Sequence, residues 1–174
     1  MLRAGPGYVK KRRNRVANMA KLEMEDVEFM RKALLEARRA SDQGEGPVGA
    51  VVVREGEIIG RGWNHRETDG DPLAHAEILA IGEAARQTQG WRLTGCSLYV
   101  TLEPCAMCAG ALVNSRIERL VFAARDPKAG YCVSLGNLVQ DERLNHRLEV
   151  VEGVLAEEAG ALLRDFFATL RRNR

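Results

Sequence analysis

Apolar residues at Val27, Met30, Leu34, Ala37 and Ala40 recur at helical intervals, and the polar run 42–46 closes the segment with turn chemistry. This pattern predicts a first amphipathic helix. The period then changes. Residues 48–53 and 58–63 are short β-rich runs separated by Arg54-Glu55-Gly56-Glu57, which reads as a hairpin. A polar loop over 64–73 leads to a helix that begins near His75, continues through Ile78, Leu79, Ile81, Ala84 and Ala85, and stops at about Gln89-Gly90. Residues 97–102 form another strand, and Glu103, restricted by the proline after it, marks its end. A further helix covers 105–115, strands follow at 120–123 and 147–151, and a closing helix over 155–170 carries Leu162, Leu163, Phe166 and Phe167 on its apolar side. Strands alternating with helices imply an α/β sandwich built on a central sheet.

Composition narrows the class. At 174 residues, 45% hydrophobic and 29% charged, the chain suits one well-buried domain. No apolar stretch is long enough to span a bilayer, and the basic N-terminus lacks the apolar segment of a secretion signal. Four cysteines suit a reducing compartment, so a cytoplasmic location is expected. The net charge of +2 is unevenly spread: residues 1–23 hold seven basic residues against Glu23 alone, and the remainder is mildly acidic. The expected organisation is a basic, disordered extension over 1–23 followed by a single domain over 24–174. The extension reads as a tail, as an arm for a polyanionic partner, or as an organellar transit segment.

The chemistry is concentrated in His75-Ala76-Glu77 and Pro104-Cys105-Ala106-Met107-Cys108. A catalytic zinc takes three protein ligands and keeps one position open, whereas a structural zinc closes all four. With Pro104-Cys105 opening a helix, the sulfurs of Cys105 and Cys108 share one face of its first turn, where free N–H groups and the helix dipole favour thiolates. His75 supplies the third ligand. Glu77, two positions from His75, points elsewhere and reads as a proton shuttle. Taken alone, the Cys-x-x-Cys pair could equally be a redox pair or half of a closed zinc site. A closed site needs a fourth ligand from Cys96, Cys132, His65 or His146, none at a second paired spacing. Cys96 and Cys132 read as small hydrophobes, and the two histidines as surface or loop residues.

These motifs resemble the zinc-dependent cytidine/deoxycytidylate deaminase superfamily. The longer runs Pro47-Val48-Gly49-Ala50, Gly62-Trp63-Asn64, residues 98–105, Cys108-Ala109-Gly110-Ala111 and Ala124-Arg125-Asp126 are similar to the bacterial tRNA-specific adenosine deaminases within it. The resemblance runs from about residue 27 to about 172. It implies a three-layer sandwich with a central mixed five-stranded sheet, one Zn²⁺ per subunit on His75, Cys105 and Cys108, and Glu77 as the catalytic acid/base. It also implies a homodimer acting on the wobble adenosine of a tRNA anticodon stem-loop. By matching position, Asn64, Pro47, Val48, Asp126 and Lys128 would contact substrate. Leu73 and Gly130-Tyr131-Cys132-Val133 depart from the family's pattern without touching a ligand. Two alternatives remain open: a deaminase of a free base or nucleotide such as guanine or cytosine, and an inactive deaminase-like RNA-binding subunit.

Overall fold

The computed structural model describes residues 6–172, with side chains from residue 19 onward. Strands β1 (Gly49–Arg54), β2 (Glu57–Trp63), β3 (Cys96–Leu102), β4 (Arg119–Ala124) and β5 (Glu149–Glu152) form one sheet. Their order is β2-β1-β3-β4-β5. β1 runs antiparallel to β2 and β3, while β3, β4 and β5 are mutually parallel, so the sheet is mixed as expected. Helices α1 (Pro6–Asp42) and α5 (Ala156–Arg172) cover one face. The single turn α2 (Arg66–Asp69) follows β2, and α3 (Ala76–Gln87) and α4 (Ala106–Ser115) cover the other face.

Period-two alternation assigns each strand residue to a layer. Ala50, Val52, Leu98, Val100, Leu120 and Phe122 pack under α3 and α4. Val51, Val53, Tyr99, Val121 and Ala123 pack under α1 and α5. Because both faces are covered, the central strands are apolar along most of their length. The β1–β2 hairpin closes through Glu55 and Gly56, with φ of 52° and 81°, the left-handed pair that a two-residue turn requires. The last strand is short, and its charged residues are paired: Glu149 with Arg119 and Glu152 with Arg125.

Two contacts fix helices to the sheet. Gly60 and Gly62 on β2 lie directly against the backbone of α3, where a Cβ at Gly62 would overlap the Ala76 carbonyl and sit 2.7 Å from the Ala80 nitrogen. The facing residues Ala76, Ala80 and Ala84 are fully buried and equally small. On the opposite face, Asp26 of α1 receives both guanidinium nitrogens of Arg119, at 2.6 and 2.8 Å, and the Tyr99 hydroxyl at 3.0 Å. Removing one partner of such a buried pair strands the other charge, which generally costs about 3–5 kcal/mol.

Several boundaries differ from expectation. α1 starts far upstream of Val27, so the basic segment read as disordered is helical from Pro6; residues 1–5 lie outside the described residues. Periodicity misses the stretch just before Val27 because Met19, Leu22 and Met24 are exposed. The expected polar loop over 64–73 contains α2, a turn too short to show a period. The fifth strand begins at Glu149 instead of residue 147, since Leu148 donates its N–H to Val139 outside the ladder. The apolar side of α5 is only partly used: Ala159 is buried, whereas Phe167 and Leu170 are exposed.

The helix–sheet spacing yields a paired test. Gly62→Ala is expected to lower the unfolding free energy by at least about 1–3 kcal/mol through overpacking against backbone. Gly90→Ala, where a Cβ meets only the Thr88 carbonyl at 3.8 Å, should stay within about 0.5 kcal/mol. Urea titration of both variants measures the difference.

Candidate metal centre and substrate cleft

His75 stands immediately before α3 and Cys105 immediately before α4, each with extended backbone, and neither side chain caps its helix. Both side chains are therefore free to turn towards a common point. Cys108 joins them from the first turn of α4. His75 Nδ1 lies 3.7 Å from Cys105 Sγ and 3.5 Å from Cys108 Sγ, and the three ligand atoms all fall within 4.8 Å of one another. A tetrahedral zinc with ordinary Zn–S and Zn–N bonds separates such atoms by about 3.6 Å, so the donor set fits the ion in spacing and chemistry. Among the described residues, this is the group that gathers three His, Cys, Asp or Glu donors. Glu77 is not part of it.

The electrostatics suit a cation. Hydrogen bonding from Cys108, reinforced by His75, holds the Cys105 thiol down to about 3. The same bond to Cys105, together with burial, pushes the Cys108 thiol up. Hydrogen bonding to Cys105 raises His75. The pair thus favours a thiolate on Cys105, and a divalent ion is what would draw the proton from Cys108. Glu77 is 4% exposed, and burial raises its carboxyl above the usual range.

A cleft of about 870 Å³, lined by none of the three donors, reaches the start of α3 through Asn64. Val48, Asn64, Asp126 and Lys128 line it together with Leu102 and Phe166, whereas Pro47 is buried and is not among its lining residues. Asn64 connects cleft and metal group. Its Oδ1 accepts the Ala76 N–H at 3.1 Å, capping α3 next to His75, and its Nδ2 donates to the Gly46 carbonyl at 3.2 Å. The asparagine therefore serves local structure, and its second amide hydrogen and second lone pair remain for a ligand. Asp126 is also engaged locally, since its Oδ1 accepts the N–H groups of Lys128 and Ala129 in a turn that Asp forms readily. The other expected bystanders stay away from the metal group. His65 stacks on Trp63, His146 pairs with the Ile117 carbonyl, and Cys96 and Cys132 are buried.

Two buried acids at the rim escaped the motif reading. Glu45, 1% exposed, accepts the Thr68 N–H at 2.6 Å and so ties α2 to the end of α1. Glu103, 2% exposed, accepts backbone N–H groups from the segment after β4. The available signal was a carboxylate interrupting or bordering apolar and glycine-rich sequence, as in Leu102-Glu103-Pro104, which demands partners that spacing alone does not name.

Residues 23–124 match the family described as the cytidine and deoxycytidylate deaminase zinc-binding region. The chain belongs to that family. It is 53% identical over 150 residues to the tRNA-specific adenosine deaminase of Bacillus subtilis, covering 86% of this chain and 93% of that protein. Among solved structures, it is similar to one from work on tRNA:A34 deaminases that edit A to I at the wobble position. That likeness has a TM-score of 0.75 and 41% identity, covering 78% of this chain and 99% of the other. It is also similar to a guanine deaminase from Nitrosomonas europaea, at TM-score 0.71 and 30% identity, covering 82% of this chain and 84% of the other. Zinc is the family's metal, and the chain presents a donor set that fits it.

Glu45 provides a pH test. Burial raises its carboxyl, but hydrogen bonds from Thr68 and Glu67, with the nearby His65, outweigh that and hold it below its ordinary value. A depressed folded pKa means stabilisation that is complete above the unfolded value, about 4.3, and is lost as pH falls through the folded one. Glu45→Gln should therefore cost about 1–3 kcal/mol at neutral pH. The gap to the parent should narrow below about pH 4, as read by denaturant titration across pH.

Proposed function

We propose that this chain is a zinc-dependent hydrolase that converts adenosine to inosine at the wobble position of a tRNA anticodon. The observation that most supports the reading is the His75–Cys105–Cys108 group, linked through Asn64 to a wide cleft, in a chain 53% identical to a tRNA-specific adenosine deaminase along nearly its whole length. In this reading His75, Cys105 and Cys108 hold one zinc. When bound, the ion supplies a Lewis acid that brings the pKa of a water molecule towards neutrality.

The chain's own residues do the rest. Glu77, buried at the start of α3, accepts one proton from the attacking water and delivers it to N1 of the purine, then takes the proton of the new C6 hydroxyl and passes it to the departing amine. Water oxygen replaces the amine at C6, and ammonia leaves. An anticodon loop suits the site because its bases are already unpaired and can be splayed out at low cost. The cleft offers matching groups: Arg125, Lys128 and Arg164 for phosphates, and Phe166 and Phe167 for stacking. Asn64 has amide capacity left for the base, and Val48 supplies apolar wall.

The same reading makes residues 24–174 the catalytic domain and 1–23 an extension of it, with a homodimer as the working form. Among the described residues, no helix is long and apolar enough to cross a membrane. A tRNA substrate implies a cytoplasmic enzyme.

Inosine formation by the zinc-loaded protein, assayed on an anticodon stem-loop beside free adenosine, guanine and cytidine, is expected on the stem-loop alone. Turnover of guanine instead would transfer the substrate to the free-base reading. Glu77→Gln should keep one zinc per subunit by metal analysis while losing about 10²–10⁴-fold in turnover. Sedimentation is expected to give a dimer, and a fully active monomer would refute that assembly.

A further inference from the structure

Glu103 is the last residue before Pro104-Cys105, and its side chain is almost wholly buried. The carboxylate does not face the cleft. It accepts five hydrogen bonds, all from residues 126–134: the N–H groups of Asp126 at 3.0 Å, Cys132 at 3.2 Å, Val133 at 2.7 Å and Ser134 at 2.8 Å, and the Ser134 hydroxyl. Convergent backbone N–H groups of this kind form an anion nest, and here the anion is a side chain of the protein itself. Gly130 packs so closely that a Cβ there would collide with the carboxylate.

The same segment is tied to the metal side. Tyr131 donates its N–H to the Pro104 carbonyl at 2.8 Å, and Gly130 bridges to Cys105. At its other end, Asp126, Pro127 and Lys128 line the cleft. The connection from β4 to β5 contains no helix, so the segment has no regular ladder of its own to hold it. Beyond its own turns and its contacts with Pro104 and Cys105, the Glu103 carboxylate is what joins its two ends.

We propose that Glu103 is a positioning residue for substrate, whose carboxylate gathers residues 126–134 and so registers the cleft rim at Asp126–Pro127–Lys128 against the Cys105 metal segment. The carboxylate touches neither metal nor substrate. This rests on the reading of the cleft as the RNA site, since it makes binding of the stem-loop depend on Glu103 through the rim. Replacing the carboxylate with an amide removes the charge and turns one acceptor into a donor facing N–H groups. The rim should loosen while the three ligands keep their helix-start positions.

The test compares Glu103→Gln and the milder Ser134→Ala with the parent, using hydrogen exchange, zinc content, and KM and kcat on the anticodon stem-loop. Amides of residues 126–134 are expected to exchange at least tenfold faster in Glu103→Gln and by a smaller factor in Ser134→Ala. Zinc should stay at one per subunit, KM should rise at least tenfold in Glu103→Gln, and kcat should stay within threefold. Unchanged exchange over 126–134 in both variants would overturn the proposal. So would loss of zinc or kcat from folded protein at unchanged KM, because Glu103 would then serve the metal. If Glu103→Gln does not fold, the exchange and KM of Ser134→Ala decide. A parent inactive on the stem-loop would remove the RNA reading, while the exchange measurement still decides whether Glu103 holds the rim.

Discussion

The closeness of α3 to β2 is the constraint on which the rest of the molecule depends. His75 and Glu77 reach the site only because the first turn of α3 lies almost on the sheet, and that approach exists because Gly60, Gly62, Ala76, Ala80 and Ala84 have nothing larger than a methyl group between them. α4 meets it from the neighbouring strand crossover, bringing Cys105 and Cys108. Two separate helix starts thus deliver ligands to one point. A shift of about 1 Å in either helix would be felt directly, since close-packed interiors transmit displacement instead of absorbing it.

Around that point, charge is stabilised by backbone more than by opposite charge. Glu45 and Glu103 are held mainly by N–H groups, and Cys105 sits where α4 presents its unpaired amides. Farther away, Asp26 and Glu36 are held by arginines instead. Among the described residues, no buried side-chain nitrogen or oxygen lacks a partner. Several acids can therefore be buried in a small domain without the destabilisation that unpaired burial brings.

What could be read in the sequence followed local rules. The donor set was legible because His75-Ala76-Glu77 and Cys105-x-x-Cys108 obtain their geometry from single helix turns, and the strands were legible because both faces of the sheet demand apolar residues. The rest needed tertiary information. Around Met19, Leu22 and Met24 the helix leaves its apolar residues exposed, so no buried face marks it. Asn64 could be assigned to substrate by position, but its cap on Ala76 and its bond to Gly46 join three distant segments. Glu103 read as a strand terminus because its partners lie 23 to 31 positions away. Pro47 and Val48 both matched lining residues by position and both are buried, but of the two it is Val48 that borders the cleft.

The parallel side of the sheet ends in β5, four residues long, with Glu149 and Glu152 at its two ends, each paired with an arginine. An incoming strand would have to align with a very short ladder and do so beside charged side chains already engaged. Such an edge offers little template for β-augmentation or intermolecular ladder growth. This margin of the open sheet is thereby a poor acceptor for a further strand.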